Sequence, residues 1–385
     1  GHDSWSSIGP ASSDGGYHGI GRINCIAFRP GDANVFYAGS PSGGLWKSTD
    51  GGTNWNPLTD QNSVLGVSHA VVFAGTTTAS DTIYIATGDR DEGAIGNLDW
   101  GYIADNQSLG VLKSVDGGSS WSTTGLTFVG SDKETTNRII VNPDNHTVIY
   151  VATSDGLYKS YNAGISFTKI YSEEFIDMEM NTSDTSTLYG GTRLGGKIFV
   201  SFDAGSTWSE KVDVVGGYRT ELAVSEADNN RVYGVVCDND GGLKEIQRSD
   251  NGGLSFYVVY EDPNIANPEV NILHRDCSPG AASGGQGDYD LAIAADPTDA
   301  SCVFIGGINT WKSTDGANSF TIVNHWDDDC GGTVDSVHAD KHCLTFQNSS
   351  SILFEGNDGG IYKTTDAGSS WADLTNGLVI SQFYR

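Results

Sequence analysis

The sequence is poor in basic residues and lacks several features that mark particular protein classes. Only 21 of its 385 residues are Lys or Arg, against 49 Asp or Glu, so the formal net charge is −28. Nucleic acids and anionic membrane surfaces bind basic patches, so this charge balance argues against both as partners. No apolar run is long enough to cross a bilayer, and no window has the period of an amphipathic helix. The sequence therefore predicts neither nucleic-acid binding nor membrane insertion.

Cysteine is also scarce, and none of the cysteines forms a CxxC pair. That absence argues against a structural zinc or a redox motif. An even number of cysteines in a turn-rich β protein is typical of an oxidising compartment, so we expect disulfides whose pairing the sequence does not decide. The six are Cys25, Cys237, Cys277, Cys302, Cys330 and Cys343.

What the sequence does contain is one eight-residue pattern that occurs seven times. It reads Ser/Thr-x-Asp/Asn-x-Gly/Ala-x-x-Trp/Phe and returns at intervals of roughly 40–66 residues. Its Asp can accept hydrogen bonds from its own turn, and its Gly tolerates a positive φ. The copies begin at Ser48, Ser114, Ser160, Ser201, Ser249, Ser313 and Thr364. Such spacing predicts small supersecondary units that bury their apolar faces only against one another.

Each copy lies between two short apolar runs and follows two more. In the first repeat these runs cover residues 44–47, 55–58, 23–29 and 35–39. Four short strands per repeat make the blade of a β-propeller. We therefore predict an all-β fold, a seven-bladed β-propeller of four-stranded blades in one domain over residues 1–385. An eight-bladed propeller, or part of a larger one, is the alternative, because both termini resemble additional strands.

The repeats resemble the Asp boxes of sialidases, xyloglucanases and sortilin-type receptors. Segments 5–10, 21–22, 43–48, 288–291, 338–342 and 356–360 are similar to secreted bacterial sortilin-like and glycosidase-like propellers. This resemblance implies a secreted, extracellular or cell-surface protein, part of a longer chain, that recognises or processes a polysaccharide. The alternative that it implies is a sortilin-like module or scaffold that binds an extracellular protein or peptide without catalysis.

Two departures from these families restrict the activity that the resemblance implies. Sialidases carry an arginine triad and a Phe/Tyr-Arg-Ile-Pro motif, and the motif is absent from this sequence. Xyloglucanases carry a catalytic Asp two residues before the Gly-Gly of the first repeat, where this chain has Pro41. A glycosidase activity would therefore be neither that of a typical sialidase nor that of a typical xyloglucanase.

The first candidate site is the long acidic loop of the second repeat. It contains Asp89, Arg90 and Glu92, followed by Trp100 and Tyr102. Carboxyl groups can perform acid–base chemistry on a glycosidic bond, and aromatic planes stack on sugar rings. The alternative is a solvated acidic loop on which Trp100 packs as a lid.

The second candidate site is the segment that contains His338, Asp340 and His342. If the segment is a strand, these three side chains share one face. Two imidazoles and a carboxylate suit Zn²⁺ or another transition metal, or an acid–base pair, or a structural hydrogen-bond network. Asp358 lies in a turn of the same repeat and is a further catalytic candidate. Because acidic clusters also suit Ca²⁺, the cofactor stays open between a calcium ion, a zinc ion and none.

The remaining candidates come from the other long loops. The residues predicted to bind the ligand are Arg275, Tyr289 and Trp326, together with Arg90, Trp100 and Tyr102 of the acidic loop. A glycosidase needs two carboxyl groups about 5–9.5 Å apart. The loop with Asp89 and the repeat with Asp358 can supply them only if the two segments meet across the central channel.

Overall fold

The predicted seven-bladed β-propeller is confirmed. A computed structural model describes residues 9–16, 18–63, 65–91, 108–261, 271–276, 284–327 and 334–381. These residues form seven separate sheets whose first four strands follow one another in chain order and pair antiparallel. The eight-bladed alternative does not describe this part of the chain. Its only helix is a short 3₁₀ turn at Thr78–Ser80, and it contains no helix that could span a membrane.

The strands are numbered in chain order, four to a blade. Blade 1 contains β1 (Cys25–Phe28), β2 (Phe36–Ser40), β3 (Gly44–Ser48) and β4 (Asn56–Pro57), and blade 2 contains β5 (Val67–Phe73), β6 (Thr82–Thr87), β7 (Val111–Ser114) and β8 (Ser122–Thr123). Blade 3 contains β9 (Thr136–Val141), β10 (Ile149–Thr153), β11 (Gly156–Ser160) and β12 (Thr168–Tyr171), and blade 4 contains β13 (Phe175–Met180), β14 (Leu188–Thr192), β15 (Lys197–Ser201) and β16 (Ser209–Asp213). Blade 5 contains β17 (Gly217–Val224), β18 (Val232–Asp238), β19 (Leu243–Ser249) and β20 (Tyr257–Glu261). Blade 6 contains β21 (Ala292–Ala295), β22 (Val303–Gly306), β23 (Thr310–Ser313), β24 (Thr321–His325) and a short parallel fifth strand, β25 (Asp335–Ser336). Blade 7 contains β26 (Lys341–Phe346), β27 (Leu353–Asn357), β28 (Gly360–Thr364) and β29 (Ala372–Asp373).

The seven repeats are tight turns between the third and fourth strands. In the first, the Ser48 hydroxyl donates to Asp50 Oδ1 (3.0 Å) and accepts from the Gly52 N–H (2.9 Å). The same carboxylate oxygen accepts from the Asn54 N–H (2.9 Å). All seven copies have these three hydrogen bonds. The repeat is therefore a turn that its own side chains hold together.

The turns also join neighbouring blades. Tyr150 Oη and Lys159 Nζ, both of blade 3, donate to the carbonyl oxygen of Ala204 in the turn of blade 4 (3.1 and 2.7 Å). The turn aromatics reach in the opposite direction, since Trp121 Nε1 donates to the Leu58 carbonyl of blade 1 (2.9 Å). The apolar core accordingly consists of clusters between adjacent blades, as the repeat pattern predicts.

The terminal segments close the ring between blade 7 and blade 1. The Ile20 N–H donates to the Gly359 carbonyl of blade 7 (2.9 Å), and the Gly377 N–H donates to the Ala11 carbonyl (2.7 Å). Leu378 and Ile380 are buried in one cluster with Ile20 and the inner residues of blade 1. Among the described residues, closure thus rests on these packed segments.

The expected disulfides are absent from the described residues. Cys25, Cys237, Cys302 and Cys343 are free thiols, so that expectation is wrong for these four. Cys277 and Cys330 lie outside the described residues. An even cysteine count was a weak guide here, because three of the four described thiols are buried as small apolar side chains.

The two ends of the propeller differ. Because the strands of a blade alternate in direction, the seven repeat turns all lie at one end. The loops between second and third strands and the connections between blades lie at the other end, which we call the connection face. The predicted site residues belong to loops and strand ends on this face.

Candidate functional site

The first residues of the loop that follows β6, up to Asp91, reach the centre of the ring. Arg90 of this loop donates to the Ile176 carbonyl of blade 4 (3.1 Å) and to both carboxylate oxygens of Glu221 in blade 5 (3.1 and 3.2 Å). Asp91 pairs with Arg219 of blade 5 (2.9 Å) and with His342 of blade 7 (3.0 Å). A blade 2 loop can contact blades 4, 5 and 7 together only near the axis, so the two predicted segments do meet across the channel.

His342 connects the two segments. Its Nδ1 lies 3.0 Å from Asp91 Oδ2 and its Nε2 lies 2.9 Å from Asp358 Oδ1. Burial lowers the pKa of His342, but the hydrogen bonds to Asp358 and Asp91 outweigh it and raise the pKa above its usual value. Burial alone would raise the pKa of Asp358. The hydrogen bond to His342 and the charge of Arg22 outweigh burial and hold the pKa of Asp358 below its usual range. The arrangement therefore keeps Asp358 ionised, and 18% of its side chain is exposed.

Arg22 and Tyr289 complete the arrangement. Arg22 forms a buried ion pair with Asp89, and its Nη1 donates to the Tyr289 hydroxyl (3.1 Å). The Tyr289 hydroxyl in turn lies 2.9 Å from Asp358 Oδ2. We call the connected set the axial network. It consists of Arg22, Asp89, Asp91, Tyr289, His342 and Asp358.

Not every predicted carboxylate is available for chemistry. Asp89 is buried, and besides Arg22 it accepts from Asn24 Nδ2 (3.1 Å) and the Asp91 N–H (3.1 Å). Its contacts are those of a structural anchor. Arg90, predicted to bind the ligand, is likewise buried among carboxylates, and its part in ligand binding stays a prediction. Glu92, predicted to be catalytic, lies outside the described residues, as do Trp100 and Tyr102.

The predicted common face of His338, Asp340 and His342 is wrong. Strand β26 begins only at Lys341, and Asp340 has a left-handed φ of 66°, so the alternation of side chains is broken there. The His338 ring packs against Gly359 and Gly19, where an added Cβ would clash with it. Burial lowers the pKa of His338.

The same region offers no metal site. Among the described residues, no group of three or more His, Cys, Asp or Glu is placed to hold a metal ion. We therefore assign neither the zinc site at His338, Asp340 and His342 nor a calcium site in this part of the chain.

Asp340 instead faces Asp290, a residue that the sequence analysis missed as a site candidate. Asp290 is fully buried, and no described donor bonds to either of its carboxylate oxygens. Burial and the neighbouring Asp340 raise the pKa of Asp290 well above its usual range, and burial and Asp358 raise that of Asp340. In the sequence, Asp290 is predicted to lie at the start of an inner strand and not in a site. The observed strand begins only at Ala292.

The other predicted ligand-binding residues lie together at the edge of blade 6. Trp326 Nε1 donates to the Arg275 carbonyl (3.2 Å), and His325 Nε2 contacts the same oxygen (3.1 Å). The Arg275 side chain is 72% exposed. Tyr289, by contrast, is buried in the axial network.

A cavity of about 480 Å³ occupies the channel beside the axial network. Arg138, Asp177 and Glu179 line it, and Arg138 forms ion pairs with both carboxylates. Burial raises the pKa of Glu179 to about 7, although Arg138 opposes this shift. Polar and charged groups make up most of its exposed lining, although apolar side chains also line it.

The curated relatives that match this chain in sequence are xyloglucanases. No protein-family model matches the chain. A xyloglucanase from Paenibacillus sp is 25% identical over 287 residues, which cover 71% of this chain and 24% of that protein. A xyloglucanase from Acetivibrio thermocellus is 23% identical over 372 residues, covering 92% of this chain and 38% of that protein. The chain thus spans a quarter to two fifths of the length of these curated relatives.

Solved structures share the fold. A GH74 xyloglucanase from Xanthomonas campestris superposes with a TM-score of 0.62 at 15% identity, over 94% of this chain and 55% of that chain. YCF48 bound to D1 peptide superposes with a TM-score of 0.56 at 14% identity, over 90% of this chain and 92% of that chain. The chain is therefore a seven-bladed β-propeller that resembles xyloglucanases in sequence and fold.

Proposed function

We propose that this propeller processes an extracellular polysaccharide at the centre of its connection face. The observation that carries the proposal is the convergence of Asp358 and Asp340, with opposite pKa shifts, beside the axial network. The similarity to xyloglucanases supports a polysaccharide as substrate. Secretion belongs to the proposal as well, and the acidic composition and the Asp-box character of the repeat turns are compatible with it.

The two carboxyl groups suit complementary roles in glycoside hydrolysis. Asp358 is held ionised and can take a proton from water, whose oxygen then forms a bond to the anomeric carbon. Asp340, with its raised pKa, can give a proton to the departing glycosidic oxygen as the carbon–oxygen bond breaks. Exchange with solvent then restores both groups. Pairs of carboxyl groups whose environments separate their pKa values are typical of such acid–base assignments.

The exposed residues of blade 6 supply a surface for the sugar chain. The Trp326 side chain is partly exposed, and the guanidinium of Arg275 is free to reach solvent. An aromatic plane can stack on a sugar ring and a guanidinium can donate to hydroxyl groups. These residues would therefore bind the substrate without taking part in the chemistry.

The test is a screen for hydrolysis and binding. The protein is incubated with xyloglucan, cellulose and mannan, and released reducing ends and bound protein are measured. We expect one polysaccharide to be cut, and Asp358→Asn to lower kcat by about 10²- to 10⁴-fold because the variant lacks the base. Asp213→Asn, which alters an exposed carboxylate on the outer strand of blade 4, is the matched control and should match the wild type. Equal activity of both variants would exclude Asp358 from the chemistry.

The second candidate is a propeller that binds a protein or peptide without catalysis, as in sortilin-like receptors. The observation that favours it is the charged cavity of about 480 Å³ along the channel. YCF48, which has the same fold, has been solved with a bound peptide. Binding of peptides together with inertness towards every polysaccharide would favour this candidate over the first.

A further inference from the structure

The carboxyl pair formed by buried Asp290 and half-buried Asp340 is not explained by the contacts described so far. A turn fixes the backbone of Asp290, whose N–H donates to the Gln286 carbonyl (2.8 Å). Asp340 is fixed by its neighbours, since the Lys341 N–H donates to the Gly307 carbonyl (2.8 Å) and the Asp358 N–H to the Ala339 carbonyl (3.3 Å). Two hydrogen-bonded segments therefore bring the two carboxyl groups next to each other.

No described donor satisfies the buried carboxyl group of Asp290. Its two oxygens have no hydrogen-bond donor, and the group that it contacts is the carboxyl of Asp340. An ionised carboxylate only accepts hydrogen bonds, so two ionised carboxylates in contact can neither bond to each other nor escape repulsion. A single proton shared by the two carboxyl groups supplies the missing hydrogen bond and removes the repulsion between them.

The nearest cation does not neutralise the pair. Lys341 Nζ donates to the carbonyl oxygens of Ile308, Val337 and His338, which uses its three N–H groups. Its own carboxylate neighbour is Glu355, 3.6 Å away. The other titratable groups that face the pair are Asp358, His342 and His338. Asp358 adds negative charge, and His342 is already shared between Asp91 and Asp358.

We propose that Asp290 and Asp340 share one proton in a carboxyl–carboxylate hydrogen bond, and that Asp290 is the positioning residue that keeps Asp340 ready as the proton donor of the site. Coordination of a divalent cation by the pair is the competing explanation, and the absence of a third suitable ligand group among the described residues argues against it. The catalytic part rests on the proposed function, whereas the shared proton does not.

The shared proton is tested without substrate. Infrared spectra of the full chain in D₂O at neutral pH should contain the C=O stretching band of a protonated carboxylic acid. We expect Asp290→Asn and Asp340→Asn each to remove it, because the remaining carboxyl then accepts from an amide and ionises. Asp358→Asn should keep it. Glu179 is a second carboxyl group that is partly protonated near neutrality, and it should give a band of its own. Glu179→Gln is the control, because it should remove only that band.

Three results would overturn the shared proton. The first is a band that survives in Asp290→Asn, and the second is stoichiometric divalent metal in the purified protein. The third is loss of the band when Ca²⁺ or Zn²⁺ is added to metal-free protein. If a variant fails to fold, the pH dependence of unfolding of Glu179→Gln still decides, because that variant lacks the other carboxyl group whose raised pKa would give the same trend. Because the folded pKa is raised, the folded state binds more protons, so the unfolding free energy must fall as pH rises from about 4 towards neutrality.

The catalytic part is tested on whichever polysaccharide the protein cuts. Asp340→Asn should lower kcat by about 10²- to 10⁴-fold, and Asp290→Asn should shift the alkaline limb of the kcat profile to lower pH. An unshifted profile in Asp290→Asn would overturn the positioning role. If no polysaccharide is cut, the proposed function fails while the infrared result still decides the shared proton.

Discussion

At the scale of single residues, His342 does most to organise the candidate site. Its ring is buried and lies within hydrogen-bond distance of two carboxylates from different blades. Neither Asp91 nor Asp358 could stay ionised at this depth without neighbouring cations. Besides His342, Arg219 stabilises the charge of Asp91 and Arg22 stabilises the charge of Asp358. One imidazolium therefore both joins blade 2 to blade 7 and sets the charge of Asp358.

Replacing this histidine should expose its electrostatic role. His342→Gln leaves two buried carboxylates without their shared cation, and we expect it to lower the unfolding free energy by about 3–5 kcal/mol, measured by urea titration. The raised pKa of His342 gives stability that is complete below about pH 6.5 and lost as pH rises through the folded pKa. The lowered pKa values of Asp91 and Asp358 give stability that is present above about pH 4 and lost as pH falls.

The difference between wild type and variant should therefore be largest between about pH 4 and 6.5. The exposed His146, changed to Gln, is the control, and it should lower the unfolding free energy only slightly because it loses a single ring contact with Phe73. A difference that does not change with pH would show that His342 acts through packing alone.

The sequence did not suffice to predict the placement of site residues near the ends of strands. The spacing of His338, Asp340 and His342 predicts a common face only if the strand already includes all three, and the strand begins at Lys341. Nothing in three alternating polar residues reveals the left-handed φ of Asp340, whose neighbours Ala339 and Lys341 are hydrogen-bonded to segments remote in sequence or across the turn. The meeting of the Asp89 loop with Asp358 could be stated beforehand only as a condition, because the path of a long loop depends on contacts remote in sequence.

At the scale of elements, the repeat turn was predictable because each of its residues acts locally. Ser, Asp and Gly stabilise the turn through bonds and dihedral angles within eight residues, so the pattern alone identifies it. The strands beside it were predicted to within two or three residues, for example residues 35–39 for the observed Phe36–Ser40. The turns also contain a source of backbone strain. The fourth residue of the pattern has a positive φ in every copy, and it is Ala in three of them.

Relieving that strain should stabilise the protein. Ala204 has a φ of 57°, a conformation that disfavours a Cβ, while the first, second, fifth and sixth copies have Gly at this place. We expect Ala204→Gly to raise the unfolding free energy by about 0.5–1 kcal/mol in urea titrations, since the strain removed exceeds the added entropy of the unfolded chain. Ala372→Gly, in a strand, is the matched control and should lower it. Destabilisation by both changes would show that the turn tolerates alanine without strain.

At the scale of the whole molecule, the ring and the axial network depend on each other. The network takes residues from blades 2 and 7 and from the stretches that enter blades 1 and 6, so it exists only when the ring is closed. The ring has one junction that is not made by consecutive blades, between blade 7 and blade 1. There Trp55 Nε1 donates to the Leu374 carbonyl (2.9 Å), and the terminal segments add their buried apolar side chains.

Weakening this junction should therefore affect the entire protein and not one blade. Ile380 is buried against the inner residues of blade 1, and Ile380→Ala should lower the unfolding free energy by about 2–5 kcal/mol through lost burial and the cavity left behind. If closure couples the blades, tryptophan fluorescence and far-ultraviolet circular dichroism should report one coincident urea transition in both wild type and variant. Val215→Ala, which alters a side chain that is 90% exposed, should leave the midpoint unchanged. An early, separate transition confined to part of the signal in Ile380→Ala would mean that the blades unfold independently, and the axial network would then be lost before the fold.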